Sequence, residues 1–256
     1  MPDWIERFSL AGKTALVTGA SKGIGAEICA VFADAGADII ATGRDQADLE
    51  AVAATVRSRG RECTALTCAL DEPEAVEQMG REALAVSGKV DILINNAGIA
   101  RVAPALDLSL EDWDATMAVN LRAPFQLARL LAPAMIEQRW GKIINISSQA
   151  GVVALDDHAA YSASKAGLNA LTRALTGEWA KHNIQVNAIC PTVIMTPMGK
   201  QVWGEESKGA PMLAKIPLGR FGETVEVADL ALFLSSPAAG LINGETILID
   251  GGYAAM

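Results

Sequence analysis

Aromatic residues are scarce in this chain, at 5% of its 256 residues, and only Tyr161 and Tyr253 are tyrosines. Histidine is scarcer, with His158 and His182 alone, and the four cysteines (Cys29, Cys63, Cys68 and Cys190) include no C-x-x-C pair. No metal-ligand spacing exists in such a set, so no metal is expected. Thiols at scattered positions suit a reducing cytoplasm better than a disulfide framework. Residues 1–10 carry Asp3, Glu6 and Arg7 and no apolar segment of the signal-peptide kind. No apolar run reaches the length of a membrane span, which removes the membrane as a partner. Positive charge is also short: 21 Lys and Arg face 30 Asp and Glu, a net charge of -9. A phosphate backbone needs a basic face, so nucleic acid is excluded as a partner. Internal repeats, low-complexity tracts and linkers are missing, and one domain over residues 1–256 is expected.

What the chain has in plenty is apolar residues, 51% of the total. They fall in short β-type runs at 14–17, 38–41, 92–94, 142–146, 185–189 and 246–249. Longer amphipathic stretches at 26–35, 47–59, 111–119, 125–138, 163–181 and 225–233 alternate with them. Continuous apolar strands alternating with helices predict an α/β fold, a single Rossmann-type doubly wound parallel sheet with helices on both faces. Residues 191–222 break the rhythm. They are too long for a connector and too apolar (Val193, Ile194, Met195, Trp203, Met212, Leu213) for a disordered insertion. A substrate lid before the last helix is expected there.

Thr18-Gly19-Ala20-Ser21-Lys22-Gly23-Ile24-Gly25 follows the first run and opens a helix. Gly19 allows a tight turn, and Gly23 and Gly25 let the backbone approach a pyrophosphate on the positive end of that helix. The second run ends Ala41-Thr42-Gly43-Arg44. Gly43 stands where an NAD-preferring enzyme places a carboxylate for the ribose hydroxyls. Lys22 and Arg44 are two cations suited to a 2′-phosphate, so NADP(H) is favoured and NAD(H) is the alternative.

Tyr161 and Lys165 form a Y-x-x-x-K pair on one helix face. A free phenol has a pKa near 10. A neighbouring ammonium and a positively charged oxidised nicotinamide would each lower it toward acid/base use, so a lowered Tyr161 is expected.

These motifs, TGxxxGIG at 18–25, Asn95-Asn96-Ala97-Gly98 and the Tyr161–Lys165 pair, resemble the short-chain dehydrogenase/reductase family from about residue 10 to 253. The resemblance implies an enzyme that moves a hydride between a nicotinamide cofactor and a carbonyl or alcohol. It makes Asn120, Ser148, Tyr161 and Lys165 catalytic. Ser148, thirteen residues before Tyr161, would hydrogen-bond the reacting oxygen, and Asn120 would hold a water behind Lys165. For the cofactor it implies Gly19, Ser21, Lys22, Gly23, Ile24, Gly25, Arg44, Leu70, Asn96, Ala97 and Gly98, with Tyr161 and Lys165. Pro191, Ile194 and Thr196 would lie near the nicotinamide carboxamide. Two positions depart from the family: Ala69 replaces an adenine-binding Asp before Leu70, and Thr192 replaces a Gly. The family also implies a homotetramer.

Within the family, residues 191–199, Trp203, 216–221 and 46–49 resemble the branch acting on sugars, polyols and small dicarbonyls. The substrate residues implied are Ser148, Gln149, His158, Tyr161 and Trp203. Gln149 and His158 can exchange hydrogen bonds with hydroxyls, and Trp203 can cover the apolar face of a sugar chain. None of these positions is Arg or Lys, so an anionic head group finds no partner among them. A small ketose/polyol couple of the L-xylulose–xylitol kind, or a dicarbonyl, is the expected small-molecule carbonyl/alcohol substrate. The alternatives are a 3-oxoacyl-carrier-protein reductase, disfavoured by the net acidity, an NAD-dependent polyol or sugar-acid dehydrogenase, and a non-catalytic NADP-binding regulator.

Overall fold

All five residues of Thr14–Thr18 are buried, as are all six of Gly141–Ile146 and all eight of Ile184–Pro191. Strands without polar/apolar alternation are covered on both faces, which is what the apolar runs predict. The structure, a computed structural model, describes residues 3–255. Residues 1, 2 and 256, and the side chains at 87, 198, 201, 202 and 208, lie outside the described residues.

The strands β1 (Thr14–Thr18), β2 (Asp38–Gly43), β3 (Cys63–Thr67), β4 (Ile92–Asn95), β5 (Gly141–Ile146), β6 (Ile184–Pro191) and β7 (Thr246–Ile249) form one parallel sheet in the order β3-β2-β1-β4-β5-β6-β7. The helices are α1 (Trp4–Phe8), α2 (Gly23–Asp34), α3 (Gln46–Ser58), α4 (Pro73–Ser87), α5 (Leu110–Met117), α6 (Ala123–Gln138), α7 (Ala159–Trp179), α8 (Pro197–Trp203), α9 (Glu206–Leu213) and α10 (Thr224–Ser235). One face of the sheet is covered by α2, α3 and α10 through Ile28, Phe32, Leu49, Val56, Val227 and Leu234. The other is covered by α4, α6 and α7 through Val76, Met79, Leu127, Leu131, Met135 and Leu175.

The six apolar runs do not include β3. It is an edge strand whose Cys63 alone is buried, so no apolar run marks it. Helix α4 starts on Pro73, whose fixed φ suits a first turn, and stops at Gly88 in the left-handed region, φ 71°. Residues 191–222 hold two short helices: α8 is capped by Thr196, whose hydroxyl accepts from Gly199 N at 2.9 Å, and α9 follows.

Helix α7 buries an unusual face. Ala160, Leu168 and Leu175 are joined inside by Ser164, Lys165, Asn169 and Thr172. Buried polar side chains on a core-facing stripe signal a site rather than packing alone. The strand order reverses between β1 and β4, and the crevice opens at the carboxyl ends of these strands, where ligands of such sheets bind.

Candidate active site

The loop after β1 turns at Gly19, φ 63°, and again at Gly23, φ 59°. A methyl group on Gly25 would stand 2.3 Å from the Gly19 carbonyl oxygen and 2.5 Å from Asn96 Nδ2, so no larger residue fits. Asn96 fastens the loop from the other side of the crevice. Its Nδ2 donates to the Thr18 and Gly19 carbonyls at 2.9 and 3.1 Å, and its own N–H, like that of Ala97, donates to Thr18 Oγ1. At the start of α2 the N-cap residue Lys22 makes no side-chain cap bond. The first-turn N–H groups of that helix therefore remain for an anion, and the residues present fit a dinucleotide pyrophosphate. Ser21, Arg44, Leu70 and Gly98 follow the carboxyl ends of β1, β2, β3 and β4 in turn, Leu70 with its side chain in the core, and Ile24 lies on the first turn of α2.

Two residues on this side are placed in ways that the motifs do not show. Lys22 is not a free cation: its Nζ lies 2.8 Å from Asp48 Oδ2. Asp48 lies on α3, and no motif at the end of β2 marks it as a partner for the glycine loop. Ile194 points its side chain into the core, 7% exposed, so what it can offer a ligand is backbone. Thr196, in contrast, lies against the glycine loop, 3.0 Å from where a Gly23 side chain would begin. Pro191 ends β6 beside it.

The catalytic candidates come from three elements. Ser148 follows β5 and caps a short 3-10 turn, Gln149–Gly151, accepting from Ala150 N at 3.1 Å. Tyr161 and Lys165 lie on the first turns of α7. Tyr161 and Ser148 line the same cleft, and the serine hydroxyl favours the ionised phenol. Lys165 is buried, and its Nζ donates to the Ile146 carbonyl at 2.8 Å, which leaves further ammonium protons for a ligand. Burial pushes the Lys165 ammonium down to about 8. It also pushes the Tyr161 phenol up, an effect partly offset by the Ser148 hydroxyl and added to by the nearby Cys190 thiol. In the chain alone, burial rather than the Lys165 ammonium sets the direction, and the lowering expected beside an oxidised nicotinamide belongs to the loaded site. The ammonium lies 5.7 Å from the ring centroid and is bound elsewhere, so desolvation outweighs its attraction.

Asn120 sits in a π-helical turn, Ala118–Arg122, between α5 and α6. The carbonyl of Asn120 would ordinarily meet the N–H four residues on, but that residue is Pro124, which has none and whose ring crowds the carbonyl. The turn opens in response. The Asn120 side chain is fully engaged: Oδ1 accepts from Ile99 N at 2.9 Å, and Nδ2 donates to the Ile99 carbonyl at 2.9 Å and to Ser164 Oγ at 3.0 Å. A methyl group on Gly98 would lie 3.4 Å from both Asn120 Oδ1 and Lys165 Nζ, which places these two groups on either side of one glycine.

Ser148 and Tyr161 open into a cleft of about 390 Å³ that Gln149, His158 and Trp203 also line. All five expected substrate residues thus meet at one surface. Gln149 is buried and its Oε1 has no partner among the described residues. His158 Nδ1 meets the Asp156 carbonyl. A carbonyl only accepts, so Nδ1 carries the proton and Nε2 of the neutral ring is left as an acceptor. The cleft also holds residues that the motifs did not mark: Thr192, whose buried hydroxyl is unpaired, and Asp156, Met212 and Lys215. Lys215 adds a cationic residue to a cleft whose expected substrate positions include no Arg or Lys. It follows α9, inside the stretch read as a lid, and only the folding back of that stretch brings it to the site.

Known proteins agree with this picture. A family model described as enoyl-(acyl carrier protein) reductase matches residues 19–254. D-threitol dehydrogenase of Mycolicibacterium smegmatis is 42% identical over 246 residues, 96% of this chain and 94% of that protein. NAD-dependent glycerol dehydrogenase of Listeria innocua is 44% identical over 96% of this chain and 95% of its own. Bovine L-xylulose reductase is 42% identical over 96% and 98%. The solved structure of a gluconate 5-dehydrogenase from Burkholderia cenocepacia, in complex with NADP and tartrate, superposes with a TM-score of 0.94 at 33% identity, covering 99% of this chain and 100% of that one. A family match over most of the chain, relatives above 40% identity at nearly full length and the shared parallel sheet establish that this protein is an oxidoreductase of the short-chain dehydrogenase/reductase family.

Proposed function

We propose that the protein interconverts a small ketose or dicarbonyl and the corresponding polyol or alcohol, using NADP(H), at Ser148, Tyr161, Lys165 and Asn120. The observation that carries this reading is the cleft in which Ser148 and Tyr161 share walls with Gln149, His158 and Trp203. Its unpaired Gln149 Oε1 and Thr192 Oγ1, and the acceptor Nε2 of His158, are the partners a hydroxyl-rich chain requires. Polyol and ketose names among the relatives support the substrate class.

A bound nicotinamide dinucleotide supplies or takes the hydride. Within the chain, Tyr161 Oη donates a proton to the substrate oxygen in reduction and accepts it in oxidation. Ser148 Oγ holds the same oxygen and stabilises its developing charge. Lys165 offers its remaining ammonium protons to the ribose hydroxyls of the cofactor and fixes its position. Asn120 braces the Ile99 backbone and Ser164 behind Lys165. Its own carbonyl, to which Pro124 offers no N–H, takes the water of a proton path. Residues 191–222 act as the lid over the cleft. Arg44 and Lys22 favour the 2′-phosphate of NADP(H), a choice that NAD-dependent and NADP-bound relatives both leave open. We place the enzyme in the cytoplasm, in keeping with four free, buried thiols. We assign it a homotetramer, with the groove lined by Met117, Leu121, Phe125 and Leu171 as a subunit contact.

The test is oxidation of NADPH, with NADH in parallel, against L-xylulose, other small ketoses, diacetyl and an acetoacetyl thioester. Fast NADPH-linked reduction of a ketose or diacetyl is expected. Activity on the thioester alone would leave the carrier-protein reductase in its place. Lys215 favours a second reading, a sugar-acid dehydrogenase, because it sets a cation in the cleft wall. On that reading, Lys215→Met lowers kcat/KM for a keto-acid about tenfold or more while sparing a neutral ketose, the scale of a lost charge-assisted hydrogen bond. Equal effects on both substrates rule it out.

A further inference from the structure

At the outer end of the crevice, two cations and two carboxylates stand together. Lys22, at the start of α2, holds its Nζ 2.8 Å from Asp48 Oδ2. Asp45 adds negative charge beside the same lysine, while its own carboxylate accepts from Asp48 N at 3.0 Å as the cap of α3. Arg44, next to Asp45, is exposed and makes no ion pair among the described residues. Asp48 therefore ties the first turn of α3 to the glycine loop, across the ground that Gly43 leaves open.

We infer that Asp48 is a specificity-determining residue for the dinucleotide: it holds Lys22 in an intramolecular ion pair and competes with a ligand phosphate arriving at the end of β2. The inference rests on the reading of this crevice as the dinucleotide site. A 2′-phosphate gains Lys22 only by displacing Asp48, and it then faces a displaced carboxylate of its own sign. A 2′-hydroxyl meets no such opposition, and it can donate to that carboxylate. Asp48 thus narrows the gap between phosphorylated and unphosphorylated cofactor that Lys22 and Arg44 would otherwise open. Two cations near Gly43 look like a plain phosphate site in the sequence. The fold shows one of them already answered.

The experiment measures binding of adenosine 2′,5′-bisphosphate and of 5′-AMP to the full chain by calorimetry, for the parent and for Asp48→Asn. Asparagine keeps the size and helix position, and retained AMP binding reports an intact crevice. The bisphosphate is expected to bind the variant roughly two- to fivefold tighter, the span that exposed ion pairs cover, with AMP unchanged or slightly weaker because the asparagine carbonyl still accepts from its 2′-hydroxyl. The gain should shrink as salt is raised from about 0.05 to about 0.5 M, because screening shortens the reach of exposed charges. Lys22→Met should cost more bisphosphate affinity in the Asp48→Asn background than in the parent, since only there is the lysine unopposed. Unchanged or weaker bisphosphate binding by Asp48→Asn overturns the role of Asp48, as does equal tightening of both ligands. Failure of the parent to bind either ligand overturns the reading of the crevice itself, and the assignment of Asp48 with it.

Discussion

Replacing Lys142 by Met should make the protein more stable. Lys142 lies in β5, between Ile92 of β4 and Gln185 of β6, and is 1% exposed. Its Nζ has no hydrogen-bond partner among the described residues, and burial lowers its pKa from 10.5 to about 8. At about 1.4 kcal/mol per unit, that shift corresponds to a penalty of up to about 3 kcal/mol for the charged form in the folded chain. Methionine retains the unbranched apolar stem and drops the ammonium. The pH dependence has a definite sign. Above pH 10.5 the lysine is neutral in both states and the penalty vanishes. Between 10.5 and about 8 the unfolded chain holds the proton that the folded chain has released, so stability falls as pH falls. Below about 8 both states are charged and the loss is complete. Urea unfolding at fixed protomer concentration should therefore show a higher midpoint for Lys142→Met near about pH 7, with the gap closing toward about pH 10. A variant no more stable than the parent at neutral pH, or a gap that does not change with pH, would refute the reasoning.

Tyr161→Phe should lower turnover by about two to four orders of magnitude, the usual worth of a general acid, while AMP binding by calorimetry stays unchanged. Because burial raises the Tyr161 phenol, it is protonated at neutral pH. The kcat/KM for reduction should then stay flat from about pH 6 to about pH 9, with that for oxidation rising over the same range, and a fall in reduction below about pH 8 would contradict the assignment. Gly25→Ala puts a methyl group 2.3 Å from the Gly19 carbonyl, so it should abolish AMP binding and lower the melting temperature; retained binding would show that the loop has room.

The parts of the fold that were legible in the sequence are those governed by short-range rules. The apolar runs gave β1, β2 and β4 to β7 because strands buried on both faces need no alternation. The edge strand β3 escaped that rule, since one buried residue does not make a run. The glycine loop was legible because a turn with positive φ admits few other residues, and the Tyr161–Lys165 pair because helix spacing puts both on one face. Lys215 was not legible, because its place depends on how α8 and α9 fold back over the sheet. Nor was Asp48, whose partner Lys22 lies 26 positions earlier and meets it only through the pairing of β1 with β2. The balance at Tyr161 was not legible for a related reason: spacing shows that an ammonium is near, but only the packed site shows that it is bound to Ile146 and that, in the chain alone, desolvation is the larger effect.

One dipeptide joins the two halves of the site. Asn95 ends β4 and Asn96 follows it into the loop, and the two side chains turn to different neighbours. Asn96 turns toward the glycine loop and draws in the Thr18 and Gly19 carbonyls. With those acceptors satisfied inward, the polarity the loop presents outward is that of its N–H groups, as an anion requires. Asn95 turns the other way and donates to Asn145 Oδ1 of β5 at 2.8 Å. Asn145 in turn donates to Thr172 Oγ1 of α7 at 2.9 Å, and that hydroxyl donates to the Leu168 carbonyl. The chain of bonds ends within one turn of Lys165. An apolar core would hold β4, β5 and α7 together as firmly, but hydrocarbon contacts tolerate sliding, whereas directional bonds between buried amides fix register. The reaction demands a fixed register, because the hydride position is set by the loop and the proton position by α7. An asparagine pair at the end of β4 references both to the same strand.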